Sequence, residues 1–135
     1  MDIVKFNNFI EPKLNKQFSW GENDCNTLVL EYLDYMLGTD TLNIAYQKYH
    51  TKFGAMRFQK EYQQTISEKC KELGLIELNP IKARHGDILI KHDKRWDMCH
   101  ICIGTKIISI DETVGVNAVS VNDFDIFDIG YRLPA

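Results

Sequence analysis

Residues 18–38, FSWGENDCNTLVLEYLDYMLG, carry the reading on which the fold turns. Turn-forming residues give way at Asp24–Cys25 to an apolar pattern. Cys25, Leu28, Val29, Tyr32, Leu33, Met36 and Leu37 recur at three- and four-residue steps. That period predicts a helix over 23–37 with one face turned to a core. Asn23 or Asp24 can cap its start, and Gly38 stops it. Cys25 therefore falls in the first turn, where two readings compete. It is a small buried hydrophobe, or a nucleophile beside unsatisfied backbone N–H groups. A helix end supplies ~0.3–1 kcal/mol. Bringing a thiol from about 8.5 to the ~3–4 of a His-paired cysteine takes ~6–7 kcal/mol. A nucleophilic Cys25 thus needs a histidine from elsewhere in the chain.

Around this helix the elements sort into two halves. Residues 1–18 read as a short helix or irregular arm, with Pro12 allowed in a first turn. A helical stretch at 41–50 leads into a longer one over 55–73, where Phe58, Tyr62, Ile66, Cys70 and Leu73 form a stripe that Gly74 ends. After Asn79–Pro80 the texture changes to short β-type runs. These are GDILIK (86–91), MCHICI (98–103), KIISID (106–111), AVSV (118–121) and GYRL (130–133), parted by polar or glycine-containing breaks. Helices followed by an antiparallel sheet define an α+β domain. The 135 residues suit one domain spanning 1–135, with no linker, repeat or low-complexity segment.

Composition excludes several classes. The chain is 44% apolar and 26% charged with net charge −3, and its 16 Lys and Arg form no basic run, which argues against nucleic acid as a partner. No apolar run approaches the roughly 20 residues that span a bilayer, so membrane insertion is not expected. The start, MDIVKFNNFIEPKLNK, lacks a signal-peptide pattern. The expectation is a protein made in the cytoplasm, with its four cysteines (25, 70, 99 and 102) as free thiols.

Four histidines are available. His50 lies in a polar helix end, His85 in a turn and His92 in the charged KHDKR hairpin tip; all three read as solvated. His100 alone falls inside an apolar strand. Alternation puts His100 and Cys102 on one face and Ile101 and Ile103 on the other. A two-residue turn at Gly104–Thr105 sets Ser109 opposite His100; a four-residue turn sets Asp111 there. Either register keeps the isoleucines together, which selects it over a one-residue slip. Asp111, or second Ser109, would orient the ring as the third member of a Cys–His–polar set. The bland alternative is a core histidine satisfied by a backbone group. Alternation also sends Cys99 and Cys102 to opposite faces, so no metal site is expected. Nucleotide-loop and HExxH motifs are absent.

The stretches FSWGENDCNTLVLEYL, HGDILI and CHICIG resemble the NlpC-type cell-wall cysteine peptidases of the papain-like superfamily. The likeness is strongest to a small branch found in tailed-phage tail-gene clusters, and extends to YHTKFGAMR. The resemblance implies a papain-like NlpC-type fold over residues 17–133, with helices packed on an antiparallel sheet. It makes Cys25 the nucleophile, His100 the base and Asp111 or Ser109 the third polar residue. Trp20 and Asp24 match residues that shape the site, and Asp87 matches a structural strand-opening aspartate. The implied substrate is a peptidoglycan stem peptide, cleaved at an amide bond without cofactor. The implied partners are other phage tail-tip proteins, and the implied location is the virion tail. Three departures stand out. Asn26–Thr27 replaces the usual Ser-Gly, Cys102 replaces a glycine, and the turn before the third residue is shorter. They fit an alternative in which the chain is a catalytically silent tail-assembly component.

Overall fold

The computed structural model describes residues 1–62, 66–92 and 97–134, with the side chains of 61 and 62 left aside. The helical half comprises α1 (Ile3–Ile10), α2 (Cys25–Leu37), α3 (Leu42–Ala45), α4 (Lys52–Tyr62) and α5 (Ile66–Glu72). The strands are β1 (Ile76–Leu78), β2 (Ile88–His92), β3 (Asp97–Ile103), β4 (Lys106–Asp111), β5 (Gly115–Ser120) and β6 (Ile129–Arg132). They form one sheet in the order β1-β6-β2-β3-β4-β5, and every pair is antiparallel. The protein is an α+β domain with helices first.

The central helix α2 lies where its period places it. Asp24 is the N-cap and Gly38 closes the helix in the left-handed conformation at φ 72°. Its face of Val29, Tyr32 and Leu33 is wholly buried. It packs in one cluster with Ile88, Ile90, Cys99, Ile101, Ile108, Val116 and Tyr131 of the sheet. Each large apolar side chain so buried contributes ~1.5–3 kcal/mol. The Tyr32 hydroxyl, at the helix centre, donates to the Gly86 carbonyl at 2.6 Å and ties α2 to the entry of β2. The other sheet face carries a smaller cluster of Leu89, Cys102 and Ile107 under Phe127.

Elsewhere the boundaries differ from expectation. The helix expected at 41–50 shrinks to α3, because the chain turns at Gln47 (φ 59°) and its N–H bonds the Gly21 carbonyl at 2.8 Å. The helix expected at 55–73 starts earlier, at Lys52, and becomes α4 and α5; residues 63–65 between them lie outside the described residues. Strand β1 had no sequence signal, being three residues long, and is recruited by pairing with β6. Strand β5 starts at Gly115, three residues early. There Asn15 and Lys16 pair with Val116 across the open sheet edge, at 2.8 and 3.0 Å. A Cβ at Gly115 would stand 2.1 Å from the Lys16 carbonyl oxygen, so only glycine admits that approach. The arm blunts an edge that would otherwise invite pairing with another chain.

Candidate active site

The site is built on the cap of α2. Asp24 is completely buried, and both its carboxylate oxygens are occupied. Oδ1 accepts from the N–H groups of Asn26 (3.0 Å) and Thr27 (2.9 Å), while the Thr27 hydroxyl accepts from the Asp24 N–H at 2.8 Å in a reciprocal capping box. Oδ2 accepts from the Gly21 N–H and the Tyr49 hydroxyl, both at 2.8 Å. Burial, and next the Asp24 charge, push the Tyr49 phenol well above its ordinary value. Gly21 has φ 83°, and a Cβ there would meet the Tyr49 carbonyl oxygen at 2.0 Å. The loop before α2 and the chain before α4 are thus clamped together by one carboxylate.

Cys25 follows at the first position of α2, half-buried. Its sulfur lies 3.7 Å from the Asn26 side-chain oxygen, which also accepts from the Cys99 thiol at 3.4 Å. Burial pushes the Cys25 thiol up to about 12. The Cys99 N–H opposes that rise, the Asp24 charge adds to it, and the N–H groups of Cys25 and Asn26 oppose it again. The helix terminus therefore works in the expected direction and is outweighed.

The β3–β4 hairpin takes the shorter turn. Ile101 pairs with Ile108, Cys102 with Ile107 and Ile103 with Lys106, leaving Gly104–Thr105 as the two-residue loop. Continued by one residue, that register sets Ser109 across from His100. The ladder ends at Ile101, however, and the strands part there. His100 alternates with the helix-facing Cys99 and Ile101, so its ring belongs to the other face, 5.4 Å from the Phe127 ring centroid. Burial lowers His100 to about 4, opposed by the Ile108 carbonyl, and its Nδ1 is buried with no partner.

Residues of both strands beyond the end of that ladder, with the start of α2 and the loop before it, line a cleft of about 240 Å³. Trp20, Asp24, Cys25, His100, Ser109 and Asp111 all line it. Lys52 and Glu112 line it too. Sharing the cleft is not the same as touching. Among the described residues no hydrogen bond joins Cys25 to His100. Asp111 is exposed, and its Oδ1 accepts from the Thr113 and Val114 N–H groups at 2.7 Å each, capping the β4–β5 turn. Ser109 is half-buried in the cleft wall.

The electrostatics fix the resting state. Exchanging a proton between a thiol near 12 and an imidazole near 4 costs about 11 kcal/mol. The attraction of the resulting pair at contact is ~4 kcal/mol for a site near the surface. Thiol and imidazole are therefore neutral at rest.

The remaining candidates divide cleanly. Asp87 is buried, held by Arg132 at 2.8 Å and by the Arg84 N–H at 2.8 Å, a structural ion pair. His50 is exposed, and His92 is half-exposed and bonded to Asp97 at 2.7 Å. His85 corrects the expectation of a solvated residue: it is half-buried against Phe6, ring centroids 4.5 Å apart, and burial lowers its pKa. Tyr49, Asn26 and Cys99 are site neighbours that sequence reasoning missed. Tyr49 stood inside the quoted YHTKFGAMR stretch, but nothing local marks it as the partner of Asp24. Among the described residues no group of three or more His, Cys, Asp or Glu is placed to hold a metal. No helix there is long and apolar enough to cross a membrane.

An α+β domain with a cysteine-tipped helix against an antiparallel sheet is the class that these features define. Residues 4–127 match the family model "Domain of unknown function (DUF6950)", and the chain belongs to that family. No curated protein matches the chain.

Proposed function

We propose that the protein is a thiol hydrolase of the papain-like, NlpC type, cleaving an amide bond in peptidoglycan stem peptides as part of a phage tail tip. One observation carries the reading: the helix-tip cysteine, the strand histidine and the polar residues of the facing strand line a single cleft. Cys25 attacks the amide carbonyl as His100 takes its proton. The Cys25 N–H, in the helix turn that lacks intrahelical acceptors, donates to the developing oxyanion. The C–N bond breaks, and His100 returns the proton to the leaving amine. Water, deprotonated by His100, then hydrolyses the thioester to a carboxylic acid and regenerates the thiol. The neutral resting pair makes this a general-base mechanism rather than one starting from a preformed ion pair. It also requires the imidazole to reach the thiol through the cleft beyond the end of the β3–β4 ladder. Catalytic hydrogen bonds commonly tighten only in the substrate complex.

A second reading has its own support. The Cys25 sulfur is engaged by Asn26, and the His100 ring stacks at a tilt on Phe127, centroids 5.4 Å apart. A catalytically silent tail-assembly component that keeps the fold needs nothing more. Incubation with purified peptidoglycan fragments separates the two. Release of new amino groups by the parent protein and its loss in Cys25→Ala supports the hydrolase. No release from either, with normal particle assembly by the variant, supports the scaffold.

A further inference from the structure

We infer that Asn26 is a positioning residue that keeps the proton on Cys25 in the resting site. Asn26 is almost fully buried, and its side-chain oxygen lies 3.7 Å from the Cys25 sulfur and 3.4 Å from the Cys99 sulfur. An amide oxygen has lone pairs and no proton, so toward each sulfur it acts only as acceptor. A thiol can donate to it and a thiolate cannot. Every such bond favours the protonated form. Cys99 shares the same oxygen, so two thiols compete for one acceptor. Burial is the largest cause of the raised Cys25 thiol and the Asn26 backbone N–H opposes it, so the case for the side chain stands on its geometry.

The inference rests on Cys25 being the nucleophile of the proposed reaction, but its test reads the thiol itself. Iodoacetamide alkylates Cys25 in proportion to the thiolate present, whether or not any peptide is cleaved. Failure here and failure of the hydrolase reading are thus distinguishable. The experiment follows carboxamidomethylation of the peptide containing Cys25 by mass spectrometry between pH 7 and 9, in the parent, Asn26→Ala and Cys99→Ala. Asn26→Ala is expected to alkylate Cys25 roughly two- to tenfold faster at each pH, the range of a weak hydrogen bond. Cys99→Ala leaves the oxygen to Cys25 alone, so its rate is expected to match or fall below the parent's. A general loosening of the helix start would speed both variants alike. An unchanged or slower rate in Asn26→Ala, or an equal acceleration in Cys99→Ala, overturns the assignment. Should Asn26→Ala fail to fold, Asn26→Ser replaces it; acceleration is again expected, since the hydroxyl can donate to the thiolate, and no acceleration overturns the inference.

Discussion

Asp24→Ala is the perturbation whose cost can be worked bond by bond. The substitution removes an N-cap, worth ~0.5–2 kcal/mol. It also strands two buried donors, the Gly21 N–H and the Tyr49 hydroxyl, each 2.8 Å from the lost carboxylate oxygen. A buried donor left without acceptor costs ~1–3 kcal/mol. The sum is about 2.5–8 kcal/mol, against about 5–15 kcal/mol for a typical domain. Tyr49→Phe removes one hydrogen bond to a charged acceptor and costs ~1.5–3 kcal/mol. The double variant loses less than the two singles together, because the phenylalanine no longer strands a hydroxyl. Urea unfolding with linear extrapolation measures all three. An Asp24→Ala cost under about 1 kcal/mol, or strict additivity with Tyr49→Phe, refutes the account of Asp24 as the clamp of the site.

Three further outcomes follow from the same geometry. The logarithm of the Cys25 alkylation rate rises with a slope of one from pH 7 to 9; a plateau reaching down to pH 6 contradicts a neutral resting pair. His100 binds its proton near 6.5 when unfolded and near 4 when folded, so between those values the unfolded chain holds more protons. Its contribution to stability is full above pH 6.5 and is lost as pH falls toward 4, by at most about 3 kcal/mol. The urea midpoint drops less between pH 7 and 4.5 in His100→Gln than in the parent; an identical drop removes the assignment. Gly21→Ala forces a Cβ against the Tyr49 carbonyl in a left-handed conformation, and a thermal melt registers a loss of ~2–5 kcal/mol; a melt within a degree of the parent's contradicts the clamp.

Much of this was legible in the chain because the signals were local. The three- and four-residue period of α2 and the Asp-Cys at its start carried the central helix. The alternation of Ile101 and Ile103 with Ile108 and Ile110 carried the hairpin and which residues share a face, but left a two- and a four-residue turn equally open; the structure takes the shorter. What failed depended on distant partners. β1 is three residues with no pattern of its own, and exists because β6 offers an edge. The 41–50 stretch has helical texture, but docking of Gln47 on Gly21 ends the helix at Ala45. At the site, alternation told which residues share a face with His100. It could not tell that β3 and β4 part after Ile101, or that Asp111 is spent on its own turn. Asn26 and Tyr49 became visible only once Cys99 and Asp24 were seen against them.

The most direct test of Cys25 as nucleophile is a chemical trap. The protein is mixed with peptidoglycan stem peptides, quenched in acid within seconds, and the peptide containing Cys25 is weighed. The account predicts an added mass equal to the acyl half of the substrate, hydrolysed by mild base and missing in His100→Ala. An unmodified Cys25 during demonstrable turnover, or an adduct of equal yield without His100, contradicts it.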